Sequence, residues 1–162
     1  MIKPQPLTVV IKRLPHALST PHPTYMTKGS AGMDLEAAPA KPVTLQPMGR
    51  AKIPTGFAIA LPGGYEAQVR PRSGLALKEG ITVLNSPGTI DSDYRGEINV
   101  ILANFSGKPV TVVRGMRIAQ LVVAPVTRVL WQEREELPES LRGARGLGST
   151  GTIGQDHPHV EK

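Results

Sequence analysis

The chain has 162 residues, of which 17 are Gly and 16 are Pro, so about one position in five favours a turn, against roughly 12% on average. Apolar residues make up 40% and aromatic residues 4%, Cys is absent, and the formal charge is +6. This much Pro argues against a helical bundle, and the absence of Cys excludes disulfides and thiolate metal sites. No apolar run is long enough to span a membrane and no signal-peptide core follows the first residue. We therefore expect a β-rich, cytoplasmic domain.

The positive charge favours anionic partners. Binding to single-stranded nucleic acid needs a basic groove combined with aromatic side chains that stack on the bases. Here the basic residues are scattered and do not alternate with aromatic ones. We therefore expect no nucleic-acid partner, and a small phosphorylated molecule is the favoured ligand.

Short strand patterns recur along the chain, with turn residues between them. We predict strands over 8–11, 57–61, 65–70, 98–102, 110–113 and 118–126. The segments 62–64, 85–88 and 106–109 are predicted turns, the last two of hairpin type, and only 75–79 and 132–137 have a helical pattern. Many short strands at regular spacing indicate an all-β sandwich or closed barrel.

The composition changes from Leu141 onward, because residues 142–151 hold four Gly and almost nothing to bury. One interpretation is a disordered tail. The other is a flexible arm that orders around a ligand and offers it backbone N–H groups, two Arg and two hydroxyls. Composition alone leaves both open.

Several familiar motifs fail on their context. Gly146–Gly151 matches G-x-G-x-x-G, but too little chain follows it for a βαβ unit. Pro109 follows Gly107-Lys108, so there is no P-loop, and no Ser/His/Asp triad can be assigned. His16 and His22 match no metal-ligand spacing. Any catalysis must then depend on carboxylates and Arg, with or without Mg2+.

Arg72-Ser73-Gly74 follows a predicted strand and can bind an anion. Arg offers a planar fork to phosphate oxygens, Ser offers a hydroxyl, and Gly allows close approach to the backbone. The alternative is an ordinary turn between a strand and a helix.

The segment 85–96 combines turn residues with carboxylates. The Asn85 amide and the adjacent backbone could read a nucleobase edge, and Asp91 beside a phosphate could act as a general base for water. The alternative is a surface loop with turn-forming Asp residues.

Two polar residues stand among apolar ones in strand-like segments. Asp34 needs a partner if it is buried, either an Arg or a nearby metal. Gln120 is either a satisfied core amide or a ligand contact.

Taken in order, residues 31–37 (AGMDLEA), 71–75 (PRSGL), 88–97 (GTIDSDYRGE), 117–121 (RIAQL) and 142–151 (RGARGLGSTG) resemble the five motifs of the trimeric dUTPase family. The resemblance implies a jelly-roll-like β-barrel domain over 1–141, with a flexible arm over 142–162 that closes over a neighbouring active site. It implies a homotrimer that hydrolyses dUTP to dUMP and pyrophosphate with Mg2+. That reaction limits uracil in DNA and supplies dUMP for thymidylate synthesis.

The resemblance also implies roles for individual residues. Asp91 would activate the water that attacks the α-phosphorus, and Asp34 would support hydrated Mg2+ through water. Tyr94 would stack on the deoxyribose and exclude a 2′-hydroxyl. The phosphates would be held by Arg72, Ser73, Gly74, Gln120, Arg142, Ser149 and Thr150. Uracil would be read by Asn85, Gly88, Thr89 and Ile90.

Two positions depart from the family pattern. Leu147 stands where Phe is usual, which keeps an apolar cover over uracil but loses ring stacking worth about 0.5–1.5 kcal/mol. We expect weaker nucleotide binding from this change. Arg145 replaces a usual Gly, and it either adds a phosphate contact or stiffens the arm.

Two other functions compete with dUTP hydrolysis. A dCTP deaminase has the same fold but releases ammonia, and the run from Ile90 to Tyr94 favours the dUTPase. A non-catalytic nucleotide-binding module would have no need of a water-activating carboxylate such as Asp91.

Overall fold

The computed structural model describes residues 6–144 and 146. The chain divides into two units, Met1–Arg128 and Val129–Lys162. In its described part, the first unit contains ten strands, one α-helix (α1) and one 3-10 turn. The strands are β1 Val10–Arg13, β2 Met33–Glu36, β3 Val43–Leu45, β4 Arg50–Ala60, β5 Tyr65–Arg70, β6 Ile81–Val83, β7 Gly88–Ile90, β8 Glu97–Asn104, β9 Val110–Val112 and β10 Arg117–Pro125. The helix α1 is Ser73–Glu79 and the 3-10 turn is Pro15–Ala17.

The strands form three antiparallel sheets, with orders β1-β4-β8-β6, β2-β10-β5-β7 and β3-β9. Among these strands, none pairs with its neighbour in sequence. From β4 to β8 the chain instead passes from one four-stranded sheet to the other at every connection. The predicted all-β fold is therefore confirmed, with the crossing connections of a jelly roll.

The core lies between the two larger sheets because their strands alternate buried and exposed side chains. In β8, Ile98, Val100 and Leu102 are buried, and the residues between them are partly exposed. These side chains pack with Leu35 of β2 and Ile118 of β10, which belong to the other sheet. Burial of each large aliphatic side chain stabilises the fold by about 1.5–3 kcal/mol.

The predicted elements differ from the observed ones mainly at their ends. The first strand begins at Val10 and extends to Arg13, and β4 begins at Arg50, well before the predicted start. The helix predicted over 75–79 is confirmed within α1. The helix predicted over 132–137 is wrong, since these residues form neither helix nor strand. Six residues are too few to offset helix nucleation without packing, and Pro138 disfavours helical backbone just before it.

The hairpin expectations are also wrong. Residues 106–109 connect β8 to β9, and 84–87 connect β6 to β7, but the flanking strands pair with other partners. Turn residues therefore marked where the chain changes direction without indicating which strands pair.

The second unit is described over 129–144 and 146, and these residues contain no helix or strand. Leu130 and Trp131 are almost fully exposed. In the described part of the whole chain, no helix is long and apolar enough to cross a membrane.

Asn104 organises the end of β8 from a fully buried position. Its amide nitrogen donates to the carbonyls of Leu45 at 2.9 Å and Lys108 at 2.8 Å. Its amide oxygen accepts from the Ser106 backbone N–H at 2.9 Å and hydroxyl at 2.7 Å. One side chain thus joins β3, β8 and the turn before β9.

Replacing Asn104 tests this network. Asn104→Ala removes the side-chain partner of the Leu45 carbonyl and of the Ser106 N–H, and one of two donors to the Lys108 carbonyl, so we expect it to lower the free energy of unfolding by about 2–3 kcal/mol. Ser106→Ala removes only the hydroxyl and should lower it by about 1 kcal/mol. Urea unfolding at one fixed protein concentration measures both, and equal losses for the two variants would contradict the central role of Asn104.

Candidate active site

The register of β10 assembles the first cluster of polar side chains. Gln120 of β10 faces Asp34 on β2 and Arg70 at the end of β5. Arg72 lies in the two-residue connection between β5 and α1, which places it beside these residues. The result is a cavity of about 180 Å3, lined by Asp34, Arg72, Ser73, Gly74 and Gln120.

Two arginines share the Asp34 carboxylate, whose side chain is 19% exposed. Arg72 Nε lies 2.9 Å from Oδ1, and an Arg117 guanidinium nitrogen lies 3.3 Å from Oδ2. Arg72 also donates to the Arg117 carbonyl at 3.1 Å. Since two cations face one anion, the cluster has a net positive charge, which favours an anionic ligand.

Gln120 is fixed on two sides. Its amide nitrogen donates to the Pro71 carbonyl at 2.9 Å, and the side chain also lines the cavity, so both predicted roles of Gln120 stay open. Its oxygen lies against Gly32, where any Cβ would overlap it. A side chain at position 32 would force the Gln120 amide to move, so Gly32 leaves room for the position that Gln120 takes here.

The second cluster surrounds β7 and the start of β8. Because Gly88–Ile90 pairs with Ala67–Val69 of β5, the chain is placed to turn at Asp91 directly after the strand. A cavity of about 180 Å3 is lined by Thr89, Ile90, Asp91, Tyr94, Glu97, Ile98 and Asn99. Asn85 lies three residues before Gly88 in the sequence, and its side-chain amide lies against Gly88.

Tyr94 is held over the turn that follows Asp91. Its backbone N–H donates to the Asp91 carbonyl at 3.1 Å, and its hydroxyl donates to the Glu97 carbonyl at 3.1 Å. The ring passes across Gly96, where a Cβ would collide with it. Tyr94 is 44% exposed and lines the cavity, so part of the residue is accessible to a ligand.

Asp91 is exposed and lines two cavities, the one beside Tyr94 and a larger one of about 640 Å3. Glu66, Asp93 and Arg128 also line the larger cavity. Within the described residues no ion pair engages the Asp91 carboxylate. Its oxygens are thus available to accept a hydrogen bond from water.

The predicted site residues therefore fall into separate groups within one chain. Asp34, Arg72, Ser73, Gly74 and Gln120 share one cavity, whereas Thr89, Ile90, Asp91 and Tyr94 share another. Arg142 belongs to the second unit, where its guanidinium lies 3.5 Å from the Gly146 carbonyl. Arg145, Leu147, Ser149 and Thr150 lie outside the described residues.

Sequence reasoning assigned no role to Arg117 or Glu97, although both stand beside predicted site residues. Arg117 could have been found from the need of Asp34 for a partner, since it opens the strand that carries Gln120. Glu97 gave no signal, because its bonds reach residues far away in sequence.

Among the described residues, no group of three or more His, Asp or Glu side chains is placed to hold a metal ion. Asp34 is the carboxylate of the first cluster, and both of its oxygens already face arginines. This donor set fits a cation bound mainly by ligand phosphates and water.

Comparison with known proteins gives a consistent result. The dUTPase family model matches residues 19–151. A deoxyuridine 5'-triphosphate nucleotidohydrolase of Methylocella silvestris is 55% identical over 149 residues, covering 91% of this chain and 93% of the relative. One of Rhizobium leguminosarum bv. trifolii is 57% identical over 146 residues, covering 89% and 94%.

Solved structures have the same fold. A dUTPase of Staphylococcus bacteriophage 80alpha with dUpNHpp superposes with a TM-score of 0.79 at 26% identity, covering 89% of this chain and 98% of the other. A dUTPase of S. aureus phage phi11, described with a structural Mg(II) ion, superposes at 0.72 with 23% identity, covering 82% and 99%. Since the family model spans most of its length and relatives are more than half identical to it, the chain belongs to the dUTPase family.

Proposed function

We propose that the protein hydrolyses dUTP to dUMP and pyrophosphate in the presence of Mg2+. The observation that carries this proposal is the placement of Asp91. Its exposed carboxylate stands at the edge of a cavity beside Tyr94, while a second cavity of the same chain holds a positive cluster. A nucleoside triphosphate needs a recess for its base and sugar, cations for its phosphates and a carboxylate for water.

Asp91 is the general base in this proposal. Its carboxylate accepts a proton from the water that attacks the α-phosphorus, and pyrophosphate leaves. Because charge in phosphoryl transfer spreads over the phosphate oxygens, positioning and electrostatics supply most of the rate, and no covalent nucleophile is needed.

The first cluster holds the phosphates. Arg72 is already oriented by Asp34 and by the Arg117 carbonyl, so little freedom is lost when phosphate oxygens bind it. Ser73 and Gly74 begin α1, where backbone N–H groups have no partner within the helix. The Gln120 side chain, fixed by Pro71, completes this surface.

Mg2+ fits the same cluster as a cation carried by the triphosphate. Such an ion usually keeps several waters and binds substrate phosphates together with one or two carboxylates. Asp34 would hold the hydrated ion through water, since both carboxylate oxygens face arginines. When bound, Mg2+ neutralises charge on the phosphate oxygens.

The second cluster reads the nucleoside. The backbone of Gly88–Ile90 and the Asn85 amide offer donors and acceptors to uracil. The Tyr94 ring, held by its hydroxyl bond to Glu97, covers the deoxyribose and leaves no space for a 2′-hydroxyl. Specificity of this kind is strong because a wrong exocyclic group leaves buried polar atoms unpaired.

The working enzyme is a homotrimer in this proposal. Within one chain Asp91 and Arg72 line different cavities, which agrees with sites built between copies. The barrel lies within the Met1–Arg128 unit, and the arm over 142–162, which belongs to the second unit, closes a neighbouring site. Arg142, Ser149 and Thr150 of the arm contact phosphates, and Leu147 covers uracil.

The first test of this function is its substrate range. Pyrophosphate release should be fast with dUTP and at least about 100-fold slower with UTP, dTTP and dCTP, as expected when a site excludes a group sterically or leaves polar atoms unpaired. Ammonia should not appear with dCTP. Equal hydrolysis of UTP would refute the role of Tyr94, and ammonia release would assign a deaminase.

Asp91→Asn tests the catalytic base. The amide keeps the shape of the side chain but accepts protons poorly, so kcat should fall by about 100-fold or more while the Kd for a non-hydrolysable dUTP analogue stays unchanged. Calorimetry of binding and pyrophosphate release together measure this. A variant that retains wild-type turnover would exclude Asp91 as the base.

Mixing two inactive variants tests whether sites form between copies. When Asp91→Asn and Arg72→Ala chains are refolded together in equal amounts, about one quarter of sites will combine an intact Asp91 with an intact Arg72, if these come from different chains of a randomly assembled trimer. Each variant refolded alone is the control. If the mixture stays inactive although mixed trimers form, both residues act within one chain.

Gly74→Ala separates ligand approach from folding. A Cβ at this position meets nothing within 4 Å, and Ala favours a helix over Gly by up to about 1 kcal/mol, so stability should not fall. The KM for dUTP should rise about tenfold, as for loss of roughly 1.4 kcal/mol of phosphate contact. Gly107→Ala, an exposed turn position with equally open space, is the matched control. Unchanged KM in both variants would contradict a phosphate at Gly74.

A further inference from the structure

Glu97, the first residue of β8, fixes two groups at the wall of the Asp91 cavity. Its backbone carbonyl accepts hydrogen bonds from the Tyr94 hydroxyl at 3.1 Å and from the Asn99 amide at 3.0 Å. Tyr94, Glu97 and Asn99 all line the cavity that contains Asp91. The position of Glu97 therefore determines where these two polar groups lie.

The Glu97 carboxylate extends away from Tyr94 toward the N-terminal part of the chain. Its Oε1 accepts hydrogen bonds from the Gly56 backbone N–H at 2.7 Å and from His16 Nε2 at 2.9 Å. Because an ionised carboxylate can only accept, the His16 imidazole carries its proton on Nε2. Hydrogen bonds to an ionised group are about twice as strong as neutral ones.

These side-chain hydrogen bonds stand where the backbone pairing between β4 and β8 is interrupted. Pro54 of β4 faces Asn99 and Ala58 faces Glu97, so β4 bulges between the two pairs. Inside the bulge, the fully buried Thr55 hydroxyl donates to the Ile98 carbonyl at 2.7 Å. The start of β8 is thus held by Thr55, Gly56 and His16 in place of regular backbone pairs.

His16 is itself anchored independently of Glu97. Arg114 donates to the His16 carbonyl at 2.9 Å and to the carbonyls of Ala38 and Pro39 at 3.3 and 3.2 Å. Ala17, the next residue, is fully buried. The imidazole therefore projects from a fixed turn, although its ring is 40% exposed.

We propose that His16 is a positioning residue for the nucleotide pocket. Its Nε2–H fixes the Glu97 carboxylate, and Glu97 in turn fixes the Tyr94 hydroxyl and the Asn99 amide. His16 is not among the residues that line the cavity, so it acts through Glu97 without touching the nucleotide. This inference rests on the proposed function, since dUTP is the molecule whose binding His16 adjusts.

Kinetics of His16 variants test this proposal. His16→Ala should raise the KM for dUTP about three- to tenfold, the range of one hydrogen bond. The kcat should stay within about twofold, because Asp91 keeps its own environment. His16→Gln retains a nitrogen donor at a similar reach and should restore the KM. His22→Ala is the matched control, since His22 packs edge-on against the Phe57 ring at 5.5 Å and should leave the KM unchanged.

The outcomes separate positioning from a merely structural role. If His16→Ala lowers only the thermal midpoint, or if His16→Gln fails to restore the KM, the proposal is overturned. An equal KM rise in His22→Ala would also overturn it, by showing general loosening of the N-terminal segment. Wild-type protein without dUTP hydrolysis would refute the proposed function and this inference with it, whereas an active wild type with a kinetically identical His16→Ala refutes the inference alone.

Discussion

The double pairing of β10 is the constraint on which the site depends. This strand lies between β2 and β5, and its register with both places Gln120 beside Asp34 and next to the end of β5. A slip of one residue would turn Gln120 toward the core and separate it from Asp34. Ile118 and Leu121 oppose such a slip because they are buried in the core. The packing that stabilises the fold therefore also fixes the polar cluster.

The charges in that cluster serve orientation more than net stability. The Asp34 carboxylate is mostly buried, and its bond with Arg72 offsets the desolvation of both groups without a large net gain. Arg117, about half exposed, is a weaker partner because water screens it. What the arrangement provides is a guanidinium held in one orientation beside Ser73 before any ligand arrives. An anion then meets a prepared surface, which reduces the entropy lost on binding.

Much of the fold and the first cluster could be predicted from sequence because both depend on local patterns. Alternating side chains identified β5 and most of β8 and β10. The need of a buried carboxylate for a partner predicted either an Arg or a metal beside Asp34, and the structure places two Arg there. The three-residue strands β3 and β6 were missed, since so short a segment has no readable period. The equally short β9 was predicted because the turn residues 106–109 stand directly before it. The hairpins failed because turn residues carry no information about pairing partners.

The hydrogen bond between His16 and Glu97 could not be predicted either, because it also depends on how distant strands pair. Glu97 lies 81 residues away from His16, and the two meet only because β4 bulges opposite the start of β8. A bulge is set by how two strands pair, so neither strand shows it alone. The same bulge interrupts the backbone pairing at the start of β8, where the Glu97 carbonyl accepts the hydrogen bond of the Tyr94 hydroxyl. Side-chain bonds from distant residues must therefore supply at this point the rigidity that the sheet supplies elsewhere.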